Sequence, residues 1–325
     1  MRLTAYSRIH IGLADMGLAS QRAFGGVGFA IEHSTTIVDL VFNNEFLLSG
    51  VESLDGLARF DLTCIMDRLQ QISGVSPFHA RIVKHAPQHC GFGSKTSLAL
   101  SLIAGANHLC GMGLSRHEMQ ILSGRGAASG VGIHAFFEGG VVCDGGHQRL
   151  SAQELLPSSA RLTNEVPPLL SRLEFPSQWD VILLLGTAPA LSGDGEVAFF
   201  REHAPIERQD AVETIVSLHH GVLPAFATAD YSALACALAA VHSRGFKMRE
   251  LMRCDKPTVR CFEALSARGF PTGVSSVGPL LYVIVGKDDR NTADQVCSEA
   301  TANGLTVLGL AAGWNAGYQI TGFPP

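Results

Sequence analysis

The chain has 325 residues, enough for one large or two ordinary domains, and its 46% apolar and 16% charged composition sets aside a disordered or tail-like protein. The formal net charge is −5 and Lys and Arg form no block, so nucleic acid is a disfavoured partner and an anionic ligand has to be met by local positive groups. Eight cysteines without a CxxC pair read as reduced thiols; no apolar run reaches the ~18 residues of a membrane span and no long apolar leader opens the chain, so the expectation is a cytoplasmic protein with no membrane partner.

Alternating apolar residues predict a first strand over 2–14, carrying Arg8 and His10 and running into Asp15. The paired glycines Gly25 and Gly26 allow a tight turn or a close approach of backbone to ligand, and a second strand follows over 35–42. The periodicity predicts a helix over 54–72 and a short strand over 78–84. The stretch APQHCGFGSKTSLALSLIAGANHL, residues 86–109, then turns through Gly91-Phe92-Gly93-Ser94-Lys95-Thr96 into an alanine-rich helix. A helix start offers unpaired N–H groups and the positive end of the dipole, so this loop suits an anion, phosphate above all; read alone, it is equally a tight turn.

Ser115-Arg116-His117-Glu118 has capping-box spacing for a further helix, which stops at Gly124. Gly124-Arg125-Gly126-Ala127-Ala128-Ser129-Gly130-Val131-Gly132 is a second glycine-rich, anion-type loop, and 136–143 followed by Asp144-Gly145-Gly146-His147 reads as strand and turn. Segment 156–177 is rich in proline and marks a boundary between an N-terminal unit, 1–165, and a C-terminal unit, 178–325. The second unit opens on a buried strand over 180–185, continues with helices over 209–228, 230–243 and 258–268, and closes with a small-residue loop over 273–279, a strand over 281–285, a helix over 292–303 and a strand over 306–310. That β-α-α-β-α-β order is close to a ferredoxin-like α+β arrangement.

Several chemistries are excluded by spacing. Ser94 separates Gly93 from Lys95, so the loop is not a Walker A motif. The histidines show no HExxH spacing for zinc, and Asp288-Asp289 reads as a solvated turn.

The pattern Pro-x-x-x-Gly-x-Gly-Ser before a helix, at residues 87–94, resembles the phosphate loop of the GHMP small-molecule kinase superfamily, and the loop 273–278 resembles its C-terminal glycine motif. A fuller resemblance lies in ordered blocks: Ser7-Arg8-Ile9-His10; Gly25-Gly26-Val27-Gly28; His89-x-Gly91-Phe92-Gly93-Ser94-x-Thr96; Gly124-Arg125-Gly126-x-x-Ser129-Gly130-Val131-Gly132; Asp144-Gly145-Gly146-His147; Phe199-Phe200-Arg201-Glu202; and Ser275-Ser276-x-Gly278-Pro279. In this order they resemble the β-ribofuranosylaminobenzene 5′-phosphate synthase family of tetrahydromethanopterin biosynthesis, over nearly the whole chain. That family usually has a small residue where this chain carries Lys95.

The resemblance implies a GHMP kinase-like α+β fold with a ferredoxin-like C-terminal domain. It implies a decarboxylating transfer from phosphoribosyl pyrophosphate to an aromatic acid of 4-aminobenzoate or 4-hydroxybenzoate type, with Mg²⁺ as cofactor and a homodimer as the assembly. It assigns Gly91, Gly93, Ser94, Lys95 and Thr96 to one phosphate or pyrophosphate group, and Arg125, Ser129 and Gly130 to another. Arg8 and His10 face the reaction; Asp15 serves metal or cation stabilisation, or caps a turn. Arg22, Gly26 and Ser275 take the acceptor, Arg201 reaches in from the C-terminal half, and Asp144 and Glu138 are metal candidates. A C-nucleoside synthase acting on a heteroaromatic acid, an ATP-dependent kinase on the same fold and a non-catalytic binder of phosphorylated metabolites remain as alternatives.

Overall fold

The computed structural model describes residues 1–149, 154–158, 160 and 165–322. The first half contains β1 (Arg2–Asp15), β2 (Arg22–Phe42), β3 (Leu47–Ser49), α1 (Gly56–Gln70), β4 (Phe78–Lys84), α2 (Ser94–Cys110), α3 (Arg116–Ser123), α4 (Val131–Glu138), β5 (Val141–Asp144), β6 (His147–Gln148) and β7 (Leu169–Leu173). The second contains β8 (Trp179–Leu185), α5 (Asp194–His203), α6 (Arg208–Ser217), a π-helical turn (Leu218–Val222), α7 (Leu223–Thr228), α8 (Tyr231–His242), α9 (Gly245–Arg253), α10 (Lys256–Ala267), β9 (Thr272–Val274), β10 (Leu280–Gly286), α11 (Arg290–Ala302), β11 (Thr306–Ala312) and β12 (Gln319–Thr321).

The glycines at 25 and 26 do not end a strand. They lie inside β2, a single strand of 21 residues that pairs antiparallel with β1 along most of its length. Gly25 has φ +72°, and a Cβ on Gly26 would lie 2.9 Å from the Gly12 carbonyl oxygen and 3.0 Å from His10 Nε2, so close approach, not turning, is what glycine supplies here. On its other edge β2 pairs with β5 through residues 26–29 and with β4 through residues 37–42. The β1–β2 register shifts between His10 and Gly12, and such an irregularity re-aims a strand's side chains, here at His10.

Residues 136–138, expected in a strand, instead end helix α4; the following Gly139 and Gly140 both have positive φ and break the helix before β5 starts. The capping box predicted at Ser115 is present, with Glu118 returning a carboxylate to the Ser115 N–H, and Asp230 caps α8 by accepting from Ala233 N–H. Asp289 likewise caps α11. The expected turn-rich segment 156–177 lies partly outside the described residues, at 159 and 161–164; its described end forms β7 against β5. Helices α5 and α9 and strands β7, β9 and β12 are absent from the sequence reading.

The second sheet has the order β11-β8-β10-β9, all pairs antiparallel, which is strand order 4-1-3-2 of a ferredoxin-like unit. The two sheets share apolar packing. Ile9, Ile11, Phe29 and Ile31 of the first meet Val181, Leu183, Tyr282 and Ile284 of the second in one buried cluster, with Phe29 edge-on to Tyr282 at 5.7 Å between ring centres. The opposite face of the first sheet is covered by α1, α2 and α4, and the opposite face of the second by α10 and α11. The sharing fixes β1 and its cleft-facing residues against the C-terminal half. Phe29 is fully buried at this junction, so Phe29→Ala is expected to cost about 3–5 kcal/mol in urea unfolding; a loss near zero would show that the sheets are not packed as described.

Candidate active site

The first glycine loop is built to leave donors free. Gly93 stands before α2 with φ +76°, and no side chain caps the helix start, so the N–H groups of the first turn have no intrahelical partner. Arg8 comes from β1 and lies over the loop: its backbone N–H donates to Phe92 O at 3.1 Å, its guanidinium donates to Gly91 O, and a Cβ on Gly93 would meet its Cζ at 3.1 Å. Ser275 closes the other side, accepting from His10 N–H at 3.0 Å and donating to Gly91 O at 2.7 Å. A Cβ on Gly278 would lie 2.7 Å from the Cys90 carbonyl carbon, so the two glycine loops touch backbone to backbone.

The second loop is held by a buried carboxylate. Asp144 accepts from Ser129 Oγ at 3.0 Å, Gly130 N–H at 2.9 Å and Gly146 N–H at 2.9 Å. Burial outweighs these bonds and raises its pKa to about 6. Ser129 Oγ also lies 3.3 Å from His10 Nε2, and burial, with Arg8 and Lys247 nearby, holds the His10 imidazole neutral at physiological pH. The second loop brings Arg125 to the start of α2, its Nε 3.4 Å from Thr96 Oγ1.

These elements enclose one cleft. Arg8, His10, Gly91, Gly93 and Ser94 line it together with Lys95, Thr96, Arg125 and Ser129. Arg8 and Arg125 are neighbouring cations and neither forms an ion pair among the described residues; burial and the Arg125 charge lower Arg8 to a pKa of about 10, which leaves it protonated at neutral pH. Both are half-buried, and nearby carboxylates, Glu250 and Glu196 for Arg8 and Asp61 and Glu196 for Arg125, offset part of the charge without pairing directly, which leaves both guanidiniums able to meet an anionic ligand.

Other expected site residues have different work. Asp15 is buried outside the cleft lining, where it accepts from the backbone N–H groups of Gly17, Ala19 and Ser20; it caps that turn. Arg22 faces the turn after β5, donating to Gly145 O and to Gly146 O. Gly26 and Gly130 sit behind the lining, as does the buried Ser275. Arg201 is paired with Glu154 on the surface. As metal ligands Asp144 and Glu138 do not fit: the Asp144 oxygens are engaged by three donors, Glu138 is ion-paired with Arg116, and among the described residues no three His, Cys, Asp or Glu side chains gather as a metal site.

The carboxylates that do line the cleft are Glu196, from α5, and Glu250, from α9, the latter paired with buried Lys247 at 2.7 Å. Sequence reading missed both because the short helices bearing them were not recognised.

A fold of this kind belongs with the GHMP class. Residues 61–140 match the model of the GHMP kinases N terminal domain. The chain superposes on homoserine kinase from Cytophaga hutchinsonii with a TM-score of 0.70, at 12% identity over 98% of this chain and 96% of that one. It superposes on mevalonate diphosphate decarboxylase from Staphylococcus aureus with a TM-score of 0.58, at 12% identity over 99% and 97%. Sequence narrows the class. The chain is 31% identical to β-ribofuranosylphenol 5′-phosphate synthase of Archaeoglobus fulgidus over 87% of both chains, and 28% identical to that of Methanothermobacter thermautotrophicus over 93% and 94%. The chain belongs to the β-ribofuranosylphenol 5′-phosphate synthase family and is an enzyme of it.

Because Asp144 shapes the second loop as an acceptor, its protonation below about pH 6 removes one of those bonds. We expect kcat/KM to fall below that pH in the native chain, and Asp144→Asn, which carries no charge at any pH, to be about tenfold slower at pH 7 and to lose that limb. Identical pH–rate profiles for the two would remove Asp144 from the description of the site.

Proposed function

We propose that this enzyme transfers the phosphoribosyl group of phosphoribosyl pyrophosphate to a 4-hydroxybenzoate- or 4-aminobenzoate-type acid, releasing pyrophosphate and CO₂, as a step of tetrahydromethanopterin biosynthesis. The name of the relatives supports the product class, a ribofuranosyl phenol bearing a 5′-phosphate. The observation that carries the reading for this chain is the pair of adjacent cations that form no direct ion pair among the described residues, Arg8 and Arg125, joined by Lys95 at the open start of α2. Three cations and a helix start suit a pyrophosphate better than a single phosphate.

The chemistry balances without an added oxidant or net proton. The ring carbon bearing the carboxylate attacks ribose C1, and the C1–O bond breaks with its electron pair leaving on pyrophosphate. The bond to the carboxyl carbon then breaks, CO₂ departs, and that electron pair restores the aromatic ring. As charge grows on pyrophosphate, Arg8, Lys95, Arg125 and the backbone N–H groups after Gly93 are the fixed donors that stabilise it. Glu196 and Glu250 supply negative charge near the oxocarbenium-like ribose, the part first assigned to Asp15. Neutral His10 adds no competing positive charge beside C1. A divalent ion travels with the pyrophosphate as part of the substrate.

The test is incubation of the chain with phosphoribosyl pyrophosphate, Mg²⁺ and carboxyl-labelled acid, with release of labelled CO₂ and pyrophosphate as the expected result. Phosphate transfer from ATP with no turnover of any aromatic acid would overturn it. Arg125→Ala is expected to raise the donor KM about 10- to 100-fold, the worth of a charge-assisted contact to phosphate; an unchanged donor KM would place the pyrophosphate elsewhere.

A further inference from the structure

With Arg22 committed to the turn after β5, the acceptor acid needs another cation and an apolar wall. Beside the donor cleft lies a second cavity of about 760 Å³, and the two share Lys95, Arg125 and Ser158. Its wall is α1, whose Leu57 and Phe60, three residues apart, project from one face of the helix. Both are solvent-exposed, Phe60 at 66% and Leu57 at 50%, and so stand among the chain's exposed large hydrophobic side chains beside two cations of the site. Val197 of α5 faces the same groove, as do the carboxylates Asp61 and Asp194.

We propose that this groove binds the aromatic acid, its ring against Leu57, Phe60 and Val197 and its carboxylate on Lys95 and Arg125 where groove and cleft meet. The inference rests on the transfer reading above and assigns the acceptor site within it. Apolar side chains and cations on adjoining walls match the two parts of a benzoate, and the pocket is of the size that holds small ligands. The orientation is chemically directed. Anchoring the carboxylate at the junction makes the ring carbon that bears it the one nearest ribose C1, which is the carbon that must form the new bond. Asp61 and Asp194 are acceptors for a para-hydroxyl or para-amino group, and Arg68, the groove's third cation, donates to Leu122 O. Lys95, which replaces a small residue of the family pattern, then serves acceptor as well as donor.

The experiment compares native chain with Phe60→Ala, a substitution at an exposed side chain that leaves the fold in place, as thermal melting verifies. Steady-state assays give KM for 4-hydroxybenzoate and for phosphoribosyl pyrophosphate separately, and titration calorimetry gives the Kd of 4-hydroxybenzoate without turnover. The expected result is a rise of about tenfold in acid KM and Kd with the donor KM within about twofold of native. Unchanged acid KM and Kd, in Phe60→Ala and in a Leu57→Ser/Phe60→Ala double variant, overturn the proposal. Should the native chain turn over no aromatic acid, the transfer reading fails, while the calorimetric comparison still decides the groove.

Discussion

Everything in the site hangs from the carbonyl oxygen of Gly91. It receives the Arg8 guanidinium from the first strand and the Ser275 hydroxyl from the C-terminal half, and Ser275 in turn accepts the backbone N–H of His10. Three distant segments are therefore tied at one point, and each tie satisfies a polar group that would otherwise be costly to bury. The shape of the loop follows. With Gly91 at φ +102° and Gly278 pressed on the Cys90 backbone, a side chain at either position would separate the halves.

The fold arranges two dissimilar compartments around that knot. The inner one gathers positive charge and glycine backbone, a setting for an anionic group. The outer one presents apolar side chains on α1 with acids beside them. Lys95 and Arg125 line both, so ligands in the two compartments would meet the same two side chains. A cation that touches two anions favours their approach, because it screens one from the other.

Much of the scaffold could be read from residues alone. Strand 78–84, the Ser115 capping box and the Asp230 cap are local features, set by alternation or by a side chain reaching three residues along, and the structure contains them. The turn through Gly93 into α2 was legible for the same reason: glycine followed by a helix start is a local signal. What escaped depends on distant partners. Gly25 and Gly26 fit a turn or a close approach equally until β1 is laid beside them. Phe136 and Phe137 look like a strand because bulky aromatics favour one, and tertiary packing against β1 and β2 decides for helix. Asp15 and Asp144 are both acids next to glycines. Only the positions of the surrounding N–H groups show that each is consumed in holding backbone, and only the packing of α5 and α9 shows that Glu196 and Glu250 reach the cleft.

The knot at Gly91 also bears on what counts as a unit of this protein. The segment that matches the GHMP N-terminal model, residues 61–140, carries both glycine loops yet lacks Arg8, His10 and Ser275. Excised, it would retain the two glycine loops without the residues that pin and charge them. The cleft is thus not portable with its most recognisable motif. In a split or shuffled version of the chain, activity would track whether β1 and the Ser275 loop are brought back together, and a graft of the loop alone onto another scaffold would transplant a shape without its chemistry.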